Sequence, residues 1–425
     1  MTMPEQKKAV TPRLRFPEFR DAGPWEVKQI NQISQNVITG GTPSTTVKEY
    51  WGGSIRWMNS GDLNLKRVYE VKGRITEIGL RNSSTKIIPP HCVLVGLAGQ
   101  GKTRGTVAMN MVDLCINQSI AAIFPNDHVF YSDYLYHNLD SRYDELRDLS
   151  AGDGGRGGIN LQMLKSFLVP LPSLPEQQKI ADCLSSLDEL IELQAKKLED
   201  LKAHKKGLMQ QLFPREGETT PRLRFPEFRD AGPWKVKRLG EVLDEHRKKS
   251  TGTEKVYSVS VHKGLVDQIE HLGRSFAAKN TEHYNRVLPG DVVYTKSPTG
   301  DFPYGIFKQN KTGQTVIVSP LYGVFSPKNY ASGVLLDAYF ESPFRANKFL
   351  QPLAQKGAKN TIQISNDRFL SGALPLPPAP AEQQKIADCL SSLDELIELA
   401  AKQLEALKAH KKGLMQQLFP QEIDQ

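Results

Sequence analysis

The chain has few cysteines and no long apolar run. Four cysteines occur among its 425 residues, and no two of them are spaced as C-x-x-C. This argues against zinc sites and disulfide frameworks. No stretch approaches the roughly 20 apolar residues that a membrane-spanning helix needs. The polar first ten residues also lack the apolar core of a secretory signal. We therefore expect a cytoplasmic protein without metal ligands, and with no role in a membrane.

The positive charge of the chain is confined to two large blocks. Residues 1–175 carry 20 basic and 16 acidic side chains, and residues 215–381 carry 24 and 16. The segments 176–214 and 382–425 are mildly acidic, with net charges of −1 and −3. Excess positive charge on globular blocks favours a polyanion as partner. It argues against a coiled-coil adaptor that touches no nucleic acid.

The chain is an internal duplication. Residues 11–25, TPRLRFPEFRDAGPW, recur letter for letter at 220–234. Residues 176–214 recur at 382–420 with three changes in 39 positions, Gln194/Ala400, Lys197/Gln403 and Asp200/Ala406. Repetition of this kind predicts two copies of one architecture. The expected domains are a first block at 1–172, a helix at 173–214, a second block at 215–378 and a helix at 379–425.

The two blocks differ in sequence but share faint echoes. Residues 88–97 resemble 287–296 as a turn and a buried strand, and 115–125 resemble 316–327 as a strand ending at proline. Segments 132–149 and 332–350 are typical of helices, and glycine-containing loops follow at 151–160 and 354–365. These patterns predict an α+β fold: two mixed blocks, separated by two long antiparallel coiled-coil helices, with an internal pseudo-two-fold repeat.

Both repeated segments carry leucines and isoleucines at alternating steps of three and four, which is the pattern of a coiled-coil seam. The expected helix-interface residues are Leu184, Leu187, Ile191, Leu198, Leu201 and Leu208, with Leu390, Leu393, Ile397, Leu404, Leu407 and Leu414. Lys205 and Lys411 share one register, so antiparallel pairing avoids placing two ammonium groups side by side. A helix of this length spans about 55 Å. Leu193 and Met209, with Leu399 and Met415, lie beside the seam, and they either pack on the blocks or dock another subunit.

Each half begins with LRFPEF and a following Trp, and a P-L-P…E-Q-Q-K-I-A…L-S-S-L-D pattern occurs at 170–192 and again at 375–398. By these motifs, and by residues 40–64, the chain resembles the specificity subunit of type I restriction-modification enzymes. The resemblance covers essentially the whole chain. The second block matches only through its frame.

The resemblance implies a subunit without catalytic residues of its own. Each block would read one half of an asymmetric, interrupted site on double-stranded DNA, and the helices would set the gap. Two modification subunits with S-adenosylmethionine, and two restriction subunits with ATP and Mg²⁺, would supply the chemistry. The chain itself would hold no cofactor. No methylase N-P-P-Y or D-P-P-Y motif occurs in the sequence.

Residues 96–103, GLAGQGKT, match the Walker A pattern of P-loop NTPases. That loop must open a helix, whereas Gly105 and the β-branched residues after it favour a hairpin. We interpret the segment as a hairpin tip at a DNA surface, with residues 292–298 as its counterpart. An NTPase remains an alternative, as does a stand-alone DNA-binding scaffold or regulator that recruits no enzyme.

The candidate DNA contacts are basic or amide side chains in glycine-rich or strand-edge positions, because such groups reach base edges and phosphates. They are Lys102, Arg104, Gln118 and Arg156 in the first block, and Lys248, Lys249, Lys296, Lys356 and Lys359 in the second. Each is also explained as an ordinary solvated charge. Tyr50, Trp51 and Trp57 are expected in the core rather than as stacking platforms for bases.

Overall fold

The computed structural model describes residues 9–99, 103–150, 157–272, 281–356 and 362–420, with only the backbone at 271–272, 356 and 362–363. The chain forms two compact units. Unit 1 consists of residues 1–195 and 402–425, and unit 2 of residues 196–401. Each unit thus contains one globular block and parts of both long helices.

Short strands and helices make up the blocks. The strands of unit 1 are β1 (Ala9–Val10), β2 (Trp25–Gln29), β3 (Val37–Thr39), β4 (Trp51–Met58), β5 (Arg67–Val68), β6 (Arg74–Ile75), β7 (Ile87–Ile88), β8 (Val93–Gly96), β9 (Val107–Asn110), β10 (Leu114–Ile116), β11 (Ile120–Ile123) and β12 (Leu168–Leu171). Those of unit 2 are β13 (Lys235–Arg238), β14 (Leu243–Glu245), β15 (Tyr257–Ser260), β16 (Gly264–Asp267), β17 (Asn285–Val287), β18 (Val292–Tyr294), β19 (Phe307–Gln309), β20 (Val316–Val318), β21 (Gly323–Pro327), β22 (Gln355–Lys356), β23 (Ile362–Gln363) and β24 (Ala373–Leu376). The helices are α1 (Ile30–Ile33), α2 (Glu77–Arg81), α3 (Ser132–Ser141), α4 (Tyr143–Asp148), α5 (Leu161–Ser166), α6 (Leu174–Leu212), α7 (Gln268–Leu272), α8 (Tyr330–Glu341), α9 (Pro343–Leu350), α10 (Asn366–Ser371) and α11 (Pro380–Leu418).

The main sheets of the two blocks share the order of four strands. In unit 1 the sheet runs β3-β11-β8-β9-β5, and in unit 2 it runs β14-β21-β18-β19, without a counterpart of β5 among the described strands. The antiparallel pairs β10–β7 and β20–β17 also correspond, as do the antiparallel pairs β4–β6 and β15–β16. The faint sequence echoes therefore mark equivalent strands. They are faint because the shared feature is burial of β-branched and aliphatic residues, which many sequences satisfy.

The stretches predicted as single strands at 115–125 and 316–327 each fold as two strands. Asn117 Oδ1 accepts the backbone N–H of Ser119 and closes a turn between β10 and β11. In unit 2, Ser319 Oγ accepts the N–H of Leu321 between β20 and β21. Short polar side chains that bond to nearby backbone favour such turns over continued strand. The prediction was wrong on this point.

The duplicated head of each half clamps the start of a long helix. In unit 1, Arg15 Nε and Nη2 donate to the two carboxylate oxygens of Glu176 over 2.8 and 2.7 Å. In unit 2, Arg224 makes the same fork on Glu382, with both distances 2.8 Å. The fork–carboxylate geometry is the strong, planar form of an ion pair. This explains why the head and the helix start are repeated together.

The glutamine after each clamped glutamate holds the strand that enters the helix. Gln177 Nε2 donates to the carbonyl of Pro172 over 2.9 Å, and Gln383 donates to Pro377 over 2.8 Å. Both glutamines are buried. A buried amide requires such partners. The E-Q pair of the repeated motif is therefore a fixed joint between block and helix.

In unit 1 the first part of α6 packs antiparallel to the last part of α11. Lys411 Nζ lies 2.5 Å from Asp188 Oδ1, and Gln194 Nε2 donates to Gln403 Oε1 over 3.1 Å. Further along, Leu184 and Leu418 join one core cluster. The residue numbers rise on one helix as they fall on the other. The antiparallel prediction is confirmed within this unit.

Unit 2 repeats the arrangement with the other parts of the two helices. Lys205 Nζ lies 2.6 Å from Asp394 Oδ1 and 2.8 Å from Glu341 Oε2. Leu212 and Ile386 share a cluster with the block. Burial alone would lower the pKa of Lys205, but Glu341 and Asp394 raise it above its usual value. Each seam lysine is thus neutralised by an aspartate of the facing helix.

All twelve predicted seam residues are buried or half-buried. The side chains beside the seam divide into two kinds. Met209 and Met415 are buried against the blocks, at 7% and 9% exposure. Leu193 and Leu399 are exposed, at 65% and 53%. Packing on the blocks therefore accounts for the methionines only.

A buried histidine faces the seam of unit 1. His137 on α3 is fully buried, with Nε2 3.1 Å from Ser185 Oγ and Nδ1 3.9 Å from Asp188 Oδ2. Burial, and then the charges of Lys411 and Arg67, hold its pKa well below 6.5. The stability that this neutral histidine contributes is present above pH 6.5. It is lost as the pH falls below 6.5, where the unfolded chain binds a proton that the folded unit does not.

We expect His137→Gln to reduce the fall in the free energy of unfolding at acidic pH. Below pH 6.5 the wild-type protein should lose up to about 1.4 kcal/mol per pH unit more than the variant. Urea denaturation at pH 7.5, 6.0 and 5.0 measures this difference. His128→Gln, at an exposed position, is the control and should follow the wild type. Parallel pH profiles for wild type and H137Q would contradict the assignment.

Candidate nucleic-acid interface

Three segments meet at the carboxyl end of β8 in unit 1. The N–H of Leu97 donates to the carbonyl of Ser119, and the N–H of Ile159 donates to the carbonyl of Leu97, both over 2.8 Å. The β8–β9 hairpin, the β10–β11 turn and the segment that follows the glycine-rich loop therefore adjoin. They carry the candidate residues of the first block.

Strands β8 and β9, which flank residues 97–106, form a hairpin. Strand β8 pairs antiparallel with β9, with Val95 opposite Val107. Gly105 lies at a φ of +79°, a conformation that glycine adopts without strain. Strand β9 follows this segment, whereas a P-loop opens a helix. The predicted hairpin is confirmed for β8 and β9, and the NTPase alternative has no support. That the hairpin lies at a DNA surface stays a prediction.

Arg104 is anchored and Gln118 is exposed. The Nη1 of Arg104 donates to the carbonyl of Gly157 over 2.6 Å, so its half-buried guanidinium joins the hairpin to the segment after the loop. The Oε1 of Gln118 accepts from Thr42 Oγ1 over 2.6 Å, which fixes the amide while leaving its Nε2 for a partner. The side chain of Asn117, in contrast, accepts a hydrogen bond within the β10–β11 turn. The structure thus brings two of the predicted residues to one surface.

Tyr50, Trp51 and Trp57 are half-buried and do not lie in the core as expected. Trp51 and Trp57 meet edge to face, with ring centroids 5.1 Å apart. Their indole N–H groups donate to the carbonyls of Ser44 and Gly41 over 3.1 and 3.0 Å. Tyr50 is also half-buried. Large rings that carry a polar N–H prefer this boundary position, because the N–H needs an acceptor.

Unit 2 has a polar cleft at the equivalent place, beyond the end of β18. Its volume is about 170 Å³, and Glu245, Lys249, Asn285, Lys296 and Asn366 are among the residues that line it. The turn between β20 and β21 forms one side, as the β10–β11 turn does in unit 1. Two predicted residues, Lys249 and Lys296, therefore lie together although 47 positions separate them in sequence.

Lys249 is held in place, whereas Lys248 extends into solvent. Lys249 Nζ donates to Asn285 Oδ1 over 2.7 Å and to the carbonyl of His283 over 3.1 Å. The side chain of Lys248 is exposed, and its backbone N–H donates to His246 Nδ1 over 3.4 Å. Lys102, Arg156 and Lys359 lie outside the described residues, and only the backbone of Lys356 is described.

Sequence reasoning missed Glu245, Arg247 and Asn366 at this cleft. Arg247 stands in the run Arg247-Lys248-Lys249, so its charge was a usable signal. Asn366 immediately follows the loop that was singled out at 354–365. Glu245 gave no signal, because an acidic residue does not indicate a polyanion site until its neighbours are known.

A family model described as the type I restriction modification DNA specificity domain matches residues 23–203 and again residues 232–409. The two matches together span most of the chain. The chain belongs to this family. Each match contains one block and most of the long helix that follows it, so the predicted resemblance is confirmed along both halves.

Known specificity subunits align with the chain to different extents. The MjaIX specificity subunit of Methanocaldococcus jannaschii is 32% identical over 276 residues, which cover 63% of this chain and 62% of that protein. The EcoR124I/EcoR124II specificity subunit of Escherichia coli is 32% identical over 154 residues, covering 36% and 38%. The MjaVIII specificity subunit of M. jannaschii is 23% identical over 436 residues, covering 96% and 94%. The chain therefore spans less than two thirds of the first two proteins and nearly all of the third.

Solved structures show the same fold. The S subunit of a type I restriction-modification system from M. genitalium superposes with a TM-score of 0.62 at 16% identity, covering 97% of this chain and all of that one. A chain from a structural study of complex assembly in a type I system gives a TM-score of 0.50 at 16% identity, with 94% and 98% coverage. The predicted fold class is confirmed.

Among the described residues, no helix is long and apolar enough to cross a bilayer.

Proposed function

We propose that this chain is the DNA-reading subunit of a type I restriction-modification complex that acts in the cytoplasm. The block of unit 1 reads one half of a bipartite site and the block of unit 2 reads the other. The observation that carries the proposal is that two blocks, which share the order of four main-sheet strands but have unlike sequences, are mounted on a duplicated frame. Unlike blocks predict unlike half-sites, so the target is asymmetric.

The residues proposed to touch DNA lie at the ends of β8 and β18. Arg104 and Gln118 belong to the first half-site reader, and Lys248, Lys249 and Lys296 to the second. Lys102, Arg156, Lys356 and Lys359 stay predictions. Net charges of +4 and +8 on the two blocks favour a phosphate backbone as partner, since such contacts supply most of the affinity for DNA.

The long helices act as spacer and as docking surface. Each has 39 residues, about 58 Å at 1.5 Å per residue. Leu190 and Leu193 are 50% and 65% exposed, and the equivalent Leu396 and Leu399 are 50% and 53% exposed. Exposed apolar pairs on a helix favour a protein partner. Because the pair occurs twice, the chain binds two modification subunits in equivalent ways. Two restriction subunits join this assembly, and S-adenosylmethionine, ATP and Mg²⁺ bind to the partners.

Methylation mapping tests the proposal. The chain is co-expressed with its modification subunits in a strain without adenine methylation, and modified bases are mapped across the genome. The expected result is methyladenine on both strands of one two-part motif with unequal halves. Modification subunits without this chain are the control and should leave no motif. Methylation outside every two-part motif would contradict the proposal.

A further inference from the structure

The cleft of unit 2 contains an ammonium group that lacks a partner. Among the described residues, Lys296 Nζ has no hydrogen bond and no carboxylate within ion-pair distance. The side chain is half-buried. Burial lowers the pKa of Lys296, and Glu245 offsets part of that effect. A half-buried donor in an open cleft favours an acceptor that comes from a bound molecule.

The backbone holds Lys296 in an uncommon conformation. Its φ is +60°, in the left-handed region that costs an L-residue about 1–2 kcal/mol. Gly305, at a φ of +99°, approaches so closely that a Cβ there would lie 2.8 Å from the backbone N of Lys296. The ends of strands β18 and β19 therefore constrain the backbone of Lys296. Strain of this kind concentrates at functional sites.

An acceptor lies in the same cleft. Glu245 Oε1 accepts from Asn366 Nδ2 over 2.9 Å and lies 3.6 Å from Arg247 Nε. Among the described residues, Glu245 Oε2 has no partner. The carboxylate is thus oriented by its neighbours through one oxygen and presents the other. The cleft therefore offers a donor on a constrained backbone and an acceptor that Asn366 orients.

We propose that this donor and acceptor read one G·C base pair in the major groove of the second half-site, an inference that rests on the proposed function. Lys296 donates to guanine O6 and N7, and Glu245 accepts from the N4 amino group of cytosine. Guanine presents two adjacent acceptors on this edge, which suits an ammonium group, while adenine presents an amino donor beside N7. Lys249 and Arg247 at the rim contact phosphates and position the reader.

The experiment uses the full-length chain in complex with its modification subunits. Bound duplexes are selected from a pool with randomised half-sites, and the preference at each base pair is quantified for wild type and variants. Lys296→Met removes the donor. Glu245→Gln keeps an oxygen for Asn366 and exchanges the free carboxylate oxygen for an amide. Lys348→Ala is the matched control, because Lys348 pairs with Glu216 over 3.0 Å and does not line the cleft.

Lys296→Met should reduce the preference for guanine at one position of one half-site about 5- to 150-fold. Glu245→Gln should relax the same base pair, and both variants should leave the other half-site intact. Lys348→Ala should keep every preference. Melting temperatures within 3 °C of wild type confirm that the variants are folded.

Three results would overturn the inference while leaving the proposed function standing. The first is a recognised motif in K296M that equals that of the wild type, and the second is a loss of base preference at an A·T pair. The third is a DNA affinity that falls equally for all sequences and depends less steeply on salt, which indicates a phosphate contact. Failure of the wild-type complex to select any two-part motif would instead count against the proposed function itself.

Discussion

Replacing Arg224 with methionine is expected to destabilise unit 2 by about 3–5 kcal/mol, because it leaves a buried carboxylate without its cation. The side chains of Arg224 and Glu382 are only 7% and 1% exposed. After the substitution Glu382 keeps the indole N–H of Trp234, 3.2 Å away, as its remaining side-chain partner among the described residues. Urea denaturation of the full-length protein, followed by tryptophan fluorescence, measures the loss.

The repeated motif supplies its own control for this prediction. Arg222 lies two residues earlier and is exposed, so Arg222→Ala should change the free energy of unfolding by less than about 0.5 kcal/mol. The double change Arg224→Met with Glu382→Leu should recover most of the loss, since an apolar pair leaves no unpaired charge. Equal effects of R222A and R224M would show that the clamp does not stabilise the fold.

Arg15→Met should have the same effect on unit 1, because Arg15 and Glu176 are also 7% and 2% exposed and form the same fork. The two substitutions should act on separate units. If unfolding resolves into two transitions, each variant is expected to shift one of them. A single variant that shifts both transitions equally would mean that the two units unfold together.

Exchanging the first block is expected to change one half of the recognised site completely. A chimera that carries residues 26–175 from a relative of known specificity should acquire that relative's half-site and keep the second half-site of this chain. Discrimination against the original first half-site should reach roughly 10³-fold, since each mismatched base pair costs about 1–3 kcal/mol. Methylation mapping of the chimeric complex measures both halves in one experiment.

The reciprocal exchange is the control for the chimera. Replacing residues 235–381 should change the other half-site only, because the two blocks share the order of four main-sheet strands but stand on separate copies of the frame. The spacing between half-sites should stay constant in both chimeras, since each exchange changes only the first two residues of α6 or α11. A chimera in which both half-sites change together would refute modular reading.

The frame was predictable because its constraints are periodic or repeated. Leucines at steps of three and four predict a seam at any position in a chain. The antiparallel direction followed from Lys205 and Lys411, and the structure adds the reason: each lysine meets an aspartate, Asp394 or Asp188, on the facing helix. Charge pairing across a seam depends on the register of both helices, so the positions of the lysines alone did not predict their aspartate partners.

The site was predictable only in outline. Glycine-rich loops and basic residues identified Arg104, Lys249 and Lys296, but nothing in the sequence related Lys296 to Glu245 or Asn366, which lie 51 and 70 positions away. The residue type alone does not show whether a charged side chain is solvated, ion-paired or placed in a cleft. Arg13 and Arg15 make the point within one motif: the first is exposed, and the second is the buried clamp.

The amino-acid sequence by itself therefore determined the duplication, the two unlike α+β blocks, the heptad seams and the family, because repeats and periodicity are properties of the linear chain. Only the tertiary structure decided which arginine holds the helix start, which leucines beside the seam stay exposed, and which donor and acceptor share a cleft. Those features arise from contacts between residues far apart in the chain, and their energies depend on burial and on neighbours that no local pattern specifies.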